Sequence, residues 1–407
     1  MSDSNCILYI EHGEIIGGSN VSLKEVIIDA LQNGYRCHVI CVNKLLADVF
    51  TEIGATTYVC TLAPLYHNTA YYYKFTVLDF LRFAKVLAKT VISFAQLLKI
   101  VRQVGPDFVH LNSSTLILYS VYFRVLGIAT LIHVRENIVK GFFGIRRKII
   151  QQLADRLVTF IIYISEFEFE LLKTKPEKSF VIYNYVHAEA FKEKGKPLTY
   201  REAFGMEKPA FTLITLGGLF SLKGGKTILE SMAYLDSGFE LLVVGSRDPR
   251  IYPDELERID GTDYLNAVLD LLKDDSISNS VKFIGKVKNP ADYVRLSDGL
   301  IFWAARPHFP RTVFEAWMLK KPVLYYNPDF KNRIINSGNV IMINDDSASE
   351  LGNSIKLMRT GLQGKAESIQ NAYESAMNNF TEKNFIKINA LYQLLKSRHP
   401  LETSENK

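Results

Sequence analysis

The chain has 407 residues, 48 % of them hydrophobic and 22 % charged, a balance that excludes a disordered or fibrous protein and, at this length, implies about two domains. Lys and Arg outnumber Asp and Glu by only 48 to 43, too small an excess to mark a nucleic-acid binder. The four cysteines (Cys6, Cys37, Cys41, Cys60) form no CxxC pair and read as reduced, buried thiols, and no stretch reaches the roughly 18 uncharged residues that span a bilayer.

MSDSNCILYIEHGE has no basic leader before a long apolar segment, so a secretory signal is not expected. CILYI (6–10) reads as a buried strand, and VSLKEVIIDALQNG (21–34) as a helix with Asn20 as N-cap and Gly34 past its end. Strands then alternate with helices: RCHVICV (36–42), a helix near 44–53, TTYVCTL, a long helical stretch at 74–103, DFVHLNS (107–113), a helix near 115–126, and TLIHV (130–134). A helix near 144–155, the run VTFIIYIS, a short helix near 166–173 and FVIYN (180–184) continue the theme.

A charged stretch with Gly and Pro but no apolar period precedes a second alternation. It comprises FTLITLGGL (211–219), a helix at 224–236, ELLVVG (240–245), a helix near 262–274, VKFIG (281–285), a helix near 290–296, GLIFWA (299–304), a helix at 311–320 and PVLYY (322–326). Helices near 364–378 and 382–396 follow, and LETSENK reads as a frayed tail.

The expected fold is α/β: two Rossmann-like, doubly wound parallel-sheet domains facing across a cleft, where ligands bind outside the carboxyl ends of the strands. The divisions fall at 1–190, a linker at 191–209, a second domain at 210–380, and a C-terminal helix at 381–407 that packs back on the first domain.

Four places could carry chemistry. Gly17 and Gly18 lie between the first strand and its helix, where backbone N–H groups and the helix dipole suit an anion, although a plain flexible turn reads the same way and GxGxxG is absent. GGLFSLKGG (217–225) repeats that place in the second domain and adds Lys223, a point charge for phosphate, without the spacing of a Walker loop. Glu315 interrupts the apolar run Val313, Phe314, Ala316, Trp317, Met318, Leu319, and is expected in the first turn of its helix, where it either accepts ribose hydroxyls or pairs with Arg306 or Arg311. HVREN (133–137) ends a strand of the first domain, and Arg135 and Glu136 either face the cleft or pair with each other.

In order and spacing, ILYIEHGEIIGGSN, PDFVHLNS, FVIYNYV, TLGGLFSLKGG, ELLVVGS, VKFIGKV and RTVFEAWMLKKPVLYYN resemble the retaining glycosyltransferases of family 4, which have the two-domain GT-B fold. The resemblance implies transfer of a sugar from a UDP- or GDP-linked donor with retention and without an obligatory metal or other cofactor. It implies that Glu315, as second glutamate of E-x7-E, binds the donor ribose, that Lys223 neutralises the diphosphate, that the loop of Gly17 and Gly18 approaches the same phosphates, and that Val287 contacts the base.

Three departures stand out: Pro307 replaces the first glutamate of E-x7-E, Gly218 replaces an arginine beside the lysine, and Arg135-Glu136 stands where relatives have His-Asp. Donor-sugar contacts then fall on Phe309, Arg311 and Thr312, and Arg135, Glu136 and Lys223 are the catalytic candidates. The pattern implies a variant subgroup.

Lys74, Arg82, Lys85, Lys89, Lys99 and Arg102 gather on the long helix of the first domain, and FFGIRRK (142–148) adds aromatics beside cations. They point either to a solvated face or to an anionic membrane surface, with a glycan or polyprenyl-diphosphate-linked acceptor and a cytoplasmic location at the inner face. The rivals are a non-catalytic nucleotide-sugar-binding subunit and a nucleotide-sugar epimerase of related fold.

Overall fold

The computed structural model describes residues 5–65, 76–192, 198–361 and 366–397, the side chain of Phe142 excepted. Lys74 and the tail at 401–407 lie outside the described residues. Two compact units are formed, one of 1–186 with 382–407 and one of 187–381.

The first unit holds a seven-stranded parallel sheet of β1 (Cys6–Ile10), β2 (Arg36–Cys41), β3 (Thr56–Val59), β4 (Phe108–Leu111), β5 (Ala129–Val134), β6 (Phe160–Tyr163) and β7 (Ser179–Val181), in the order β3-β2-β1-β4-β5-β6-β7. Every residue of β1 is buried, because helices cover both faces. Strand alternation sends Ile7 and Tyr9 to one core and Leu8 and Ile10 to the other. The helix Lys383–Ser397 closes the Tyr9 side with Phe385, Ile388, Leu391 and Tyr392.

The second unit holds a six-stranded parallel sheet of β8 (Phe211–Leu216), β9 (Phe239–Val244), β10 (Val281–Gly285), β11 (Gly299–Trp303), β12 (Val323–Tyr326) and β13 (Ile341–Met342), in the order β10-β9-β8-β11-β12-β13. Ile301, Trp303 and Leu324 pack with Ile228, Leu229 and Ile355 on one face. Phe302 and Tyr325, out of phase with them, stack on the other with ring centroids 5.3 Å apart.

Several local expectations are corrected. The first helix is Gly18–Gln32 with Gly17 as N-cap. Asn20 is its third residue, where its side chain accepts from Gly17 N–H at 2.8 Å and donates to Ile15 O at 2.9 Å. Strand β7 stops at Val181, short of FVIYN. Helices Asp254–Asp260 and Ala348–Gly361 were not anticipated. The long helix Val77–Val104 leaves apolar as well as cationic residues in solvent over residues 77–92, with Leu78 64 %, Leu81 63 %, Val91 67 % and Ile92 62 % exposed. Asp79 and Thr90 are buried in that stretch. Among the described residues no helix is long and apolar enough to cross a membrane. All four cysteines are buried and unpaired.

Candidate functional site

In the second unit the chain leaves β8 through Gly217 and Gly218, at φ 104° and 79°, and both N–H groups donate to Val244 O at 2.9 Å. A short turn, Ser221–Lys223, then leads through Gly224 to the helix Gly225–Met232. Side chains are excluded here: a Cβ would stand 2.0 Å from Trp303 Cδ1 at Gly224 and 2.1 Å from Leu219 O at Gly225. Ala305 N–H donates to Leu222 O at 3.1 Å, tying this turn to the loop that leaves β11.

That loop brings His308 to Lys223, with Nζ 2.8 Å from Nε2. His308 Nδ1 lies 3.2 Å from the Arg306 carbonyl, which only accepts, so Nδ1 carries the proton and Nε2 offers its lone pair to the ammonium. Asn327 clamps the histidine backbone: its Nδ2 donates to His308 O at 2.9 Å and its Oδ1 accepts from His308 N–H at 3.3 Å. The same Nδ2 reaches Tyr325 Oη at 2.9 Å. Burial lowers Lys223 to about 8. Burial first, and the Lys223 charge next, lower His308 to about 4.

Glu315 sits five residues into the helix Arg311–Met318, in its second turn rather than its first. Its apolar neighbours Val313, Phe314, Ala316, Trp317 and Met318 are buried, while Glu315 is half-buried and accepts from Arg311 Nε at 2.8 Å. Thr312 is half-buried beside Arg311 at the same helix start. Phe309 is turned into the packing instead, its ring 5.2 Å from Phe314 and 6.1 Å from Phe380. Val287 is half-buried in the turn between β10 and the helix Pro290–Leu296.

Gly218 has a structural reason to lack a side chain. Its φ of 79° is unfavourable for other residues, and a Cβ would meet Ser246 Cβ and Phe220 Cε2 at 3.0 Å each. Sequence reasoning passed over His308, although a histidine just beyond a strand's carboxyl end, in RPHFP, was the available signal.

In the first unit, Gly17 is extended and a Cβ at Gly17 or Gly18 would meet nothing within 4 Å. Packing within this unit therefore does not account for either glycine. Arg135 and Glu136 do not pair through their side chains as one reading expected. Arg135 Nε donates to Asn112 Oδ1 at 2.7 Å, Nη2 meets His133 Nδ1 at 3.1 Å, and Nη1 donates to Asn184. Asn112 passes the network on to the fully buried Glu11. Glu136 takes Ser113 Oγ, Ser114 Oγ at 2.8 Å and Ser114 N–H at 3.2 Å, with the Arg135 N–H 3.3 Å away. Burial, then the Arg135 charge, hold His110 and His133 well below the usual histidine range.

Residues 198–375 match a family model described as glycosyl transferases group 1. No curated protein matches the chain in sequence. HepE of Anabaena, solved in complex with UDP and glucose, superposes with a TM-score of 0.75 at 17 % identity over 96 % of this chain and 99 % of that one. Sucrose-phosphate synthase of Thermosynechococcus elongatus gives 0.73 at 15 % over 96 % and 99 %. A glycosyltransferase of Rickettsia africae gives 0.70 at 17 % over 97 % and 100 %. At these identities the likeness is one of fold, and it agrees with the two parallel-sheet domains expected from the sequence.

Proposed function

We propose, from the match of residues 198–375 to the glycosyl transferases group 1 model, that this chain moves a sugar from a UDP-linked donor, with retention, to a glycan or lipid-linked glycan during assembly of a cell-surface polysaccharide. The observation that carries this reading is Lys223. Its ammonium stands on a glycine turn at the carboxyl end of β8, and among the described residues no carboxylate lies within ion-pair distance of it. A half-buried cation without an anionic partner is ready for a phosphate.

In this reading Lys223 and the start of the helix Arg311–Met318 hold the diphosphate, Glu315 accepts the ribose hydroxyls, and Arg311 and Thr312 border the sugar. The departing diphosphate gathers charge as the glycosidic bond breaks. Lys223 and the fixed dipoles stabilise that charge, while the acceptor hydroxyl attacks from the same face without a protein nucleophile. Arg135 and Glu136 position the ends of the strands on the first unit through their hydrogen-bond network. No metal is needed in this scheme.

HepE, solved with UDP and with UDP-glucose, supports a UDP donor. WaaG, of which this chain covers 99 % at 13 % identity and a TM-score of 0.64, is involved in lipopolysaccharide biosynthesis and supports the polysaccharide setting. The solvent-facing apolar residues and cations of the helix Val77–Val104 support attachment to an anionic membrane surface. Calorimetric titration with UDP, GDP and their sugar conjugates, repeated on Lys223→Ala and Glu315→Ala, tests the donor site. Loss of affinity in both variants is expected, and unchanged affinity would refute it. Once an acceptor is found, the anomeric configuration of the first-formed product decides retention.

A further inference from the structure

We infer that His308 is a positioning residue for Lys223, and that this pair couples binding of a nucleoside diphosphate to uptake of a proton at alkaline pH. The inference rests on the donor-site reading above and adds a residue and a pH dependence to it.

The geometry requires His308 to act as a neutral acceptor. The Arg306 carbonyl fixes the proton on Nδ1, so the Nε2 lone pair at 2.8 Å is the hydrogen-bond partner that aims the Lys223 ammonium. Asn327 holds the histidine backbone through both its N–H and its C=O, and the Phe302 ring stands 5.4 Å from the imidazole on one side. Lys223 itself lies 6.0 Å from the Phe302 centroid, so one wall of its site is an aromatic ring.

Charged and titratable residues come to Lys223 from three elements, the loop after β11 carrying Arg306 as well as His308. Its own turn contributes Ser221, whose hydroxyl binds Asp260, and that carboxylate makes no ion pair with the lysine. The loop after β11 contributes His308, and β12 contributes Tyr325 behind Asn327, its phenol raised by burial. A lysine held by a neutral imidazole and an aromatic face gains less from its charge than one held by a carboxylate, and its value of about 8 agrees with this.

A diphosphate placed against Nζ reverses that balance by favouring the ammonium. Binding above pH 8 then draws a proton from solvent onto Lys223 Nζ, whereas near pH 7 the ammonium is already formed. Affinity therefore falls as pH rises through the lysine's free-state value. The missing arginine at Gly218 sharpens the effect, because an arginine there would keep its charge at any of these pH values.

The experiment is calorimetric titration of the whole protein with UDP and with GDP at pH 7.0 and 8.5, each in two buffers of unlike ionisation enthalpy. Expected is net uptake of a fraction of a proton per nucleotide at pH 8.5 and almost none at pH 7.0. Lys223→Arg should keep binding and abolish the uptake. His308→Ala should weaken binding about tenfold at pH 7.0, and His308→Gln, whose amide oxygen can accept from the lysine, should restore most of it. Nucleotide binding without uptake, or full affinity in His308→Ala, overturns the inference and leaves the donor site standing. No binding of either nucleotide at either pH overturns both.

Discussion

Arg311 and Glu315 face each other one turn apart on the helix Arg311–Met318, with Nε 2.8 Å from Oε1. The order is the less favourable one, since a cation at a helix start opposes the dipole and an acid ahead of a base is the better sequence. An anion at that helix start would offset the first penalty, because the dipole favours it and the Arg311 charge attracts it. The pair is partly exposed and is worth about 0.3–0.5 kcal/mol at most.

Glu315→Ala should therefore lower unfolding stability by less than about 1 kcal/mol while weakening nucleotide binding by about 1–3 kcal/mol, the range for hydrogen bonds to a charged group. Urea denaturation and titration of one preparation read the two effects side by side. A stability loss with no change in affinity would return Glu315 to a structural role.

Gly218→Arg replaces the residue that departs from the family pattern, yet the backbone does not welcome it. At φ 79°, with Ser246 Cβ and Phe220 Cε2 already 3.0 Å from a Cβ, the substitution should cost about 1–2 kcal/mol and should not tighten nucleotide binding. Stronger binding at unchanged stability would mean that the turn can reshape around a side chain.

Much of the fold was legible because buried parallel strands are near-continuous apolar runs, as CILYI and ELLVVG show, and because glycine turns mark where they end. The Lys223 turn was legible for the same reason. His308 was not, because its importance comes from Asn327, nineteen residues further on, and only the fold joins them. Phe309 looked available next to Arg311, yet Phe314 and Phe380 decide where its ring goes. The helix Asp254–Asp260 hides behind Asp254, Glu255, Glu257 and Asp260, with Leu256 its one buried residue. By contrast, Leu351, Ile355 and Met358 carry helical spacing that marks Ala348–Gly361 and could have been read.

Arg135→Ala removes the donor shared by Asn112, Asn184 and His133, leaving polar atoms in a buried setting. The expected loss is about 2–4 kcal/mol in the stability of the first unit, and Asn184→Ala added to it should cost less than it does alone. Additive losses in a double-mutant denaturation series would show that the two side chains do not work as one network.

Glu168, almost fully buried at the start of the helix Glu166–Leu172, has its carboxyl pushed up to about 7, chiefly by burial. The folded state then holds the proton more tightly than the unfolded one, so stability falls as pH rises from about 4.5 to about 7 and levels off above that. The loss is on the order of 3 kcal/mol. Glu168→Gln should flatten that part of the stability curve; a slope unchanged in the variant would assign it to other groups.

The helix Val77–Val104 supplies the last test. Leu78, Leu81, Val91 and Ile92 are exposed, and Arg82, Lys85 and Lys89 lie among them on residues 77–92 of the helix. Phe143, on the segment before the helix Ile145–Leu157, is 99 % exposed. Apolar burial at the boundary of a bilayer and attraction to anionic headgroups both favour contact, the second by about 1 kcal/mol for each cation near the surface. Flotation with vesicles containing anionic lipid should therefore recover the protein, and neutral vesicles should recover much less. Raising salt should weaken recovery, because only the electrostatic part is screened. Leu81→Asp with Ile92→Asp should abolish it while leaving thermal stability within about 1 kcal/mol, since neither side chain is buried. Recovery that survives those substitutions would exclude this helix as the membrane-facing element.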